Sequence, residues 1–307
     1  MQEIREYAPI LIPTLNRYEH FKRCVESLGR CTHADKTELI IGLDYPPSDK
    51  YREGWEKISD YVDTITGFKK ITVLRAKSNL GAIANSRSIR EFAKKQYHTY
   101  IYTEDDNEYS PCFLDYVDKA LTKYWDDEHV ISISGYNYPI DMGNYDKNIY
   151  AHHQYSAWGV GRWVHKFELV QTSYANEIMK SPLKMMKILR SETRILFVLM
   201  SMLAHKQRWS DALIVASNIL KGCYSIFPTI SLCRNYGHDG SGLHCGGEKK
   251  NTNDIFRNQI ISDEITFVLD EITITDANIP ALKKYFGISL KEALYDIKLY
   301  CKYLISR

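Results

Sequence analysis

The segment Tyr100-Ile-Tyr-Thr-Glu-Asp-Asp-Asn107 runs from a short hydrophobic stretch directly into three consecutive acids, Glu104, Asp105 and Asp106. Three adjacent carboxylates repel one another. On a solvated loop that repulsion is tolerable, and most charge runs are solvated. At the end of a buried strand, a hard cation such as Mg2+ or Mn2+ would relieve it through oxygen ligands, with a phosphate-bearing substrate completing the coordination. These residues alone leave both readings open. His152-His153, His238 and His244 are further metal-ligand candidates, although no H-E-x-x-H spacing occurs and isolated histidines are more often plain polar residues. His244 stands apart because it follows the glycine-rich run Gly237-His-Asp-Gly-Ser-Gly242, where glycine would let backbone approach a ligand closely. An ordinary loop explains that run nearly as well.

Nothing in the chain matches G-x-x-x-x-G-K-[ST], and Gly159-Val-Gly161 lacks the third glycine of a dinucleotide-binding turn. ATPase and dinucleotide readings therefore lose their main support. The acids must instead be positioned by what surrounds them. Short β-rich apolar runs recur at Ile10-Leu11-Ile12, Leu39-Ile40-Ile41, Ile71-Thr72-Val73-Leu74, Tyr100-Ile101-Tyr102 and Val130-Ile131-Ser132-Ile133, each reading as a strand buried on both faces. Between them lie helical patterns: Phe21, Cys24, Val25 and Leu28, then Ile83 to Phe92, then Phe113, Val117, Ala120, Leu121 and Tyr124. Alternating strand and helix predicts a mainly parallel α/β sheet, with ligands beyond the carboxyl ends of the strands. Asn16-Arg17, Asp44, Asn79 and the acid run all fall at such ends.

After about Tyr136 aromatic and glycine-rich loops lead to a basic helical stretch, Ile178 to Arg208, and a second short α/β passage around Ser225 to Cys233. In the tail from Pro280 to Arg307, Leu282, Phe286, Leu290, Leu294 and Ile297 fall on one helical face and Lys283, Lys284, Lys291, Lys298 and Lys302 elsewhere. That is one amphipathic basic helix, either packed on the body with a solvated lysine face or docked on a membrane surface.

Forty basic and 38 acidic residues leave a formal charge of +2, which excludes a whole-chain field for nucleic acid, so any anion site is local. Seven cysteines without a C-x-x-C pair argue against a zinc ribbon and a disulfide framework, and point to a reducing cytoplasm. Met1 to Ala8 lacks a secretory apolar stretch and cleavage site. Ile195 to Ala204 covers about half of the ~20 residues that span a bilayer, so it reads as a buried or interfacial helix. The expectation is a cytoplasmic protein, peripheral to the inner face of the membrane if the tail docks there.

Taken in order, the polar clusters resemble the family 2 and N-acetylglucosaminyltransferase-I-like group of GT-A glycosyltransferases. The matching residues are Pro13-Thr14 after the first strand, Asp44 after the second, Asn79-Leu-Gly81 after the third, and Glu104-Asp105-Asp106 as the D-x-D-type element. Downstream, Ser156-Ala-Trp158-Gly-Val-Gly-Arg-Trp163 resembles the Trp-Gly-Trp loop, with Val160 where relatives commonly carry a second tryptophan. Trp209-Ser-Asp211 resembles the acceptor-side acidic motif, and Asn235-Tyr-Gly-His-Asp-Gly-Ser-Gly-Leu-His244 the closing element. The resemblance implies a mixed, mainly parallel sheet flanked by helices, with a glycosyltransferase domain over residues 1–250 (nucleotide-sugar half 1–135, acceptor half 136–250) and a helical extension over 251–307.

The resemblance further implies that Pro13, Thr14, Asn16, Arg17, Asn79 and Gly81 line the nucleotide-sugar site, with Asp44 on the base, Asp105 on the ribose and Glu104 on the donor sugar. Asp106 would hold Mn2+ or Mg2+ and His244 a second metal or diphosphate contact. The donor would be a nucleotide sugar, with UDP the expected carrier, and the acceptor a saccharide or lipid-linked oligosaccharide. The transferred unit would be a hexose or N-acetylhexosamine. Inverting transfer needs a base at the acceptor hydroxyl, and Asp211 is the candidate; it or Ser210 could equally cap the helix begun by Ala212-Leu-Ile-Val-Ala216. Trp158 and Trp163 could stack on sugar rings or belong to the core. Two other classes share these residues: a metal-dependent phosphohydrolase and a non-catalytic nucleotide-sugar-binding module.

Overall fold

The computed structural model describes residues 3–167, 175–242, 254–262, 269 and 280–306. The chain begins with β1 (Ile10–Thr14), α1 (Tyr18–Gly29), β2 (Glu38–Leu43), α2 (Arg52–Tyr61), β3 (Lys70–Arg75), α3 (Ala82–Lys94) and β4 (Thr99–Tyr102). Next come β5 (Asn107–Tyr109), α4 (Phe113–Lys123), β6 (Val130–Ser134), β7 (Ile149–His152), β8 (Val160–Trp163) and α5 (Val164–Phe167). It continues through α6 (Ala175–Met179), α7 (Pro182–Ser191), α8 (Thr193–Ala204), α9 (Ser210–Lys221), β9 (Tyr224–Pro228) and β10 (Cys233–Asn235), and closes with α10 (Pro280–Tyr285) and α11 (Leu290–Ile305).

Eight strands form one sheet in the order β3-β2-β1-β4-β8-β6-β9-β7, and β5 pairs with β10 in a separate antiparallel ribbon. The β1–β2, β2–β3, β1–β4 and β6–β9 pairs are parallel; β4–β8, β6–β8 and β7–β9 are antiparallel. This is the mixed, mainly parallel sheet flanked by helices that the alternating pattern predicts, and all five expected strands are present. The first three crossovers are helical because an apolar stripe such as Phe21, Cys24, Val25 and Leu28 of α1 is buried against the sheet. β3 departs from expectation: it is the edge strand, and its residues are only partly covered.

Parallel β3, β2, β1 and β4 end on the same edge, so the loops after Thr14, Leu43, Arg75 and Tyr102 meet there. Pro13 contributes to the opening. The β1–β4 register pairs Ile10 with Ile101 and Leu11 with Tyr102 and goes no further, so the missing N–H of Pro13 falls where β4 leaves the sheet.

The second half differs from its sequence reading in two places. The stretch 178–208 is not one helix: Ser181 caps α7 by accepting from Lys184 N, Pro182 follows it, and α8 starts after Glu192. The tail is likewise divided. Leu282 is buried beside Tyr150 and Phe227 and Phe286 packs against Tyr138, whereas Leu290 and Leu294, on the separate helix α11, are 76% and 57% exposed. A capping box between Ser289 and Glu292 starts that second helix. Tyr300 reaches the cluster that includes α8. Among the described residues, no helix is long and apolar enough to cross a membrane, and the six described cysteines are free thiols.

Asp118, fully buried in α4, ties the start of β1 to that helix: Ala8 N donates to its Oδ1 at 3.1 Å, while Oδ2 has no partner. Burial pushes its carboxyl up to about 8, opposed in part by the Ala8 N–H. An unfolded aspartate titrates near ~3.9. Between about pH 4 and 8, therefore, the folded chain keeps a proton that the unfolded chain has released, and stability falls as pH rises, by up to ~1.4 kcal/mol per pH unit. Asp118→Asn keeps an acceptor for Ala8 and removes the titration. Its melting temperature should fall less steeply between pH 5 and 8 than that of the parent, and parallel profiles would show Asp118 to be ionised in the fold.

Candidate active site

The acid run stands where β4 leaves the sheet and β5 begins. Asp105 and Asp106 are only 5% and 6% exposed, so the run is not a solvated turn. Buried carboxylates need charge and hydrogen-bond partners, and three segments supply them. Thr14, the last residue of β1, donates its hydroxyl to Asp105 Oδ2 at 2.8 Å. Arg17, at the N-cap of α1, bridges the pair: one guanidinium nitrogen bonds Asp105 Oδ1 and the other lies 2.7 Å from Asp106 Oδ2. Asn235, at the end of β10, donates to Asp106 Oδ1 at 2.7 Å and to Asn107 Oδ1 at 2.9 Å. Tyr236 N then donates to the Asp106 carbonyl at 2.9 Å.

Burial alone would lower the Arg17 pKa, but the charges of Asp105 and Asp106 outweigh it and hold the guanidinium protonated. Asp105 is pushed up by burial and by Asp106, and is held back by Arg17. Glu104 lacks such a cation: Trp158 Nε1 donates to its Oε2 at 3.0 Å, and burial, Asp106 and Asp211 together push its carboxyl up to about 8. At neutral pH Glu104 is therefore largely protonated, while Arg17 is the cation that faces Asp105 and Asp106.

Asp211 lies in the first turn of α9, within electrostatic reach of Glu104. Its side chain is exposed to solvent, and the upward pull of the protein atoms around its carboxyl is opposed by Arg162 and the Ser210 hydroxyl. Trp209, not Ser210 or Asp211, occupies the N-cap, and it makes no side-chain cap, so the capping role does not account for Asp211. Arg162 is buried on β8 over Tyr100, Tyr102 and Tyr155. The two tryptophans of the 156–163 segment separate: Trp163 is fully buried, whereas Trp158 packs among Tyr136, Phe256 and His238 beside Glu104.

At the other side of the same sheet edge, Asp44 gathers the third loop. Its carboxylate accepts from Tyr45 N at 2.8 Å, Leu80 N at 2.8 Å, Gly81 N at 2.9 Å and Asn79 Nδ2 at 3.3 Å. Gly81 has φ 79° as it opens α3, a left-handed conformation that favours glycine. Asp44, Asn79 and Gly81 thus form one unit, and Asp44 could meet a base only with its remaining lone pairs. Leu80 and Ile83, 45% and 75% exposed, add apolar surface next to it, which the sequence reading passes over. Asn16 is held by α2: its carbonyl lies so close to Gly54 that a Cβ there would collide with it.

The structure brings together Thr14, Arg17, Glu104, Asp105 and Asp106, with Asp211 within electrostatic reach of Glu104 and with Asp44, Asn79 and Gly81 along the same edge. His244 lies outside the described residues. The residue that sequence reasoning missed is Asn235, recognised only as part of a closing segment. Its signal is weak, because an asparagine that ends a three-residue strand means nothing until β10 pairs with β5. The Mn2+ or Mg2+ expected on Asp106 meets a competitor in this arrangement, because each of the four oxygens of the Asp105–Asp106 pair already has a partner and two of them face the Arg17 guanidinium. Among the described residues, no three His, Cys, Asp or Glu side chains converge as a metal site.

No protein-family model matches the chain, and no curated protein matches it. Among solved structures, it is similar to the mannosyltransferase PcManGT from Pyrobaculum calidifontis, in complex with GDP-Man and Mn2+, with 14% identity over 70% of each chain and a TM-score of 0.41. It is similar to mouse xyloside xylosyltransferase 1, apo form, with 11% identity over 70% of this chain and 82% of that one, TM-score 0.34. With S. aureus TarS the identity is 15% over 41% of this chain, TM-score 0.30, and the match spans 20% of the TarS chain.

Gly237 lies against the acid pair: a Cβ there would collide with Asp106 Oδ2. Gly237→Ala should destabilise the fold by about 1–3 kcal/mol, the scale of overpacking a tight site. Urea denaturation measures this, and an unchanged midpoint would mean that Asp106 yields freely.

Proposed function

We propose that this chain is a GT-A-type glycosyltransferase that moves a hexosyl or N-acetylhexosaminyl unit from a nucleotide sugar to a saccharide acceptor. The observation that carries this reading is the buried Arg17–Asp105–Asp106 cluster at the carboxyl edge of β1 and β4, with Glu104 next to it and Asp211 within electrostatic reach of Glu104. An anionic leaving group suits this edge. Arg17 stands at the start of α1, so a diphosphate there would meet both its guanidinium and the helix's N-terminal N–H groups. Asp44 with Asn79, Leu80 and Gly81 forms the base end, Asp105 the ribose contact, and Glu104 with Trp158 the wall against the donor sugar. UDP is the carrier that the family resemblance favours.

Asp211 is the base. Its raised basicity suits it to take the proton from the acceptor hydroxyl as the acceptor oxygen attacks the anomeric carbon. The bond from that carbon to the diphosphate breaks in the same displacement, the anomeric centre inverts, and the electron pair leaves with the nucleoside diphosphate. The charge of Arg162 favours the ionised form of Asp211 before the transfer, and Arg162 is buried enough not to compete for substrate. A cytoplasmic enzyme whose acceptor is a lipid-linked oligosaccharide would meet it at a membrane face. The exposed Leu290, Leu294 and Ile305 of α11 are the surface that would lie there.

A panel of UDP- and GDP-sugars offered with and without oligosaccharide acceptors tests the reading. Nucleotide release should depend on acceptor, and Asp211→Asn should lower it by about 10²- to 10⁴-fold, the usual contribution of a general base, without changing donor affinity. A phosphohydrolase would release inorganic phosphate with no acceptor, and a binding module would release nothing.

A further inference from the structure

A guanidinium stands in the place where the resemblance puts a metal. Arg17 contacts both carboxylates of the acid pair, its side chain is 19% exposed against 7% and 6% for theirs, and Thr14 and Asn235 take the remaining oxygens. It is therefore the most solvent-open member of the cluster and the only one of these partners that carries charge. Asp105 and Asp106 sit on the rigid turn between β4 and β5, pinned by the ribbon to β10. Arg17 hangs from a loop that α2 holds at Asn16 and can swing without breaking a strand pair.

We infer that Arg17 is the resident counter-cation of this site and a positioning residue for the donor: it keeps divalent metal out of the nucleotide-free protein and admits it only when a nucleoside diphosphate offers the guanidinium another partner. This rests on the nucleotide-sugar reading above. A metal ion and the guanidinium repel each other and compete for the same carboxylates, and the guanidinium is covalently present, so free metal meets an effectively concentrated rival. A diphosphate alters both sides of that competition. It gives Arg17 a bidentate anionic partner, and it brings oxygens to a cation for which the protein supplies fewer than three carboxylate or imidazole ligands among its described residues. Metal and nucleotide binding are thereby coupled, and by linkage each tightens the other by the same factor.

Manganese EPR titration of the full chain reads the coupling directly. The parent protein should bind Mn2+ weakly alone and more tightly with UDP or GDP, by roughly 5- to 150-fold. Arg17→Gln should bind Mn2+ without nucleotide by a similar factor over the parent, and Arg17→Lys, which keeps the charge, should not. Removing Arg17 leaves two buried carboxylates uncompensated, so Arg17→Gln is to be purified with and without Mn2+. Metal that raises its melting temperature, but not that of the parent, shows the ion taking the guanidinium's place. Equal nucleotide-free Mn2+ affinity in parent and Arg17→Gln overturns the inference. UDP or GDP binding in chelator, unaffected by added Mn2+, overturns the coupling and leaves the donor reading intact. No binding of either nucleotide overturns the donor reading, while the parent and Arg17→Gln comparison still decides whether Arg17 excludes the metal.

Discussion

Two aspartates in consecutive positions are taken almost entirely out of water at the end of β4, and the protein must compensate for that. The desolvation of a buried charge amounts to several kcal/mol, and it is offset only when geometry and hydrogen bonds are both supplied. Here the compensation comes from the last residue of β1, the N-cap of α1 and the end of β10. These segments are distant in sequence. They meet because β1 is parallel to β4, which sets Thr14 and Arg17 beside the acids, and because β5 pairs with β10, which sets Asn235 and Gly237 beneath them. The small size of Gly237 matters as much as the charge of Arg17, since a side chain there would occupy the place of Asp106 Oδ2.

The two halves of the sheet have different tasks in consequence. The parallel half aligns its carboxyl ends and makes an edge of loops, with Asp44 as the internal tie that holds the Asn79–Gly81 turn. The other half brings in β8 antiparallel between β4 and β6. That reversal places Arg162 over Tyr100 and Tyr102 and within electrostatic reach of Asp211, so a buried basic residue of the sheet opposes the upward shift of a carboxyl on α9. Glu104 lies between the charge systems, stabilised in its protonated form by burial and by acids on either side.

Much of the parallel half is legible in the chain itself. Apolar runs bounded by polar turns identify β1 to β4 and β6, helical spacing identifies α1, α3 and α4, and the polar residues that matter follow strand ends. The acids stand out because hydrophobicity changes abruptly at Thr103. The pattern also separates from the structure where local sequence is indifferent to context. Leu282, Phe286, Leu290 and Leu294 have one helical periodicity, yet Gly287 and the capping box at Ser289 divide them into a packed pair, Leu282 buried and Phe286 partly so, and an exposed pair. Trp158 and Trp163 are alike in sequence, and only the register of β8 makes one a core residue and the other a neighbour of Glu104.

Local sequence thus determined the elements, because burial of an apolar stripe or run is a property of a few neighbouring residues. It also determined that Glu104, Asp105 and Asp106 stand at a strand end. Whether those acids face water, a metal or an arginine was decided only by tertiary structure. The reason is physical: burying charge depends on partners about 90 residues away at Thr14 and Arg17 and about 130 away at Asn235, and no local periodicity records which of many arginines and asparagines the strand order will deliver.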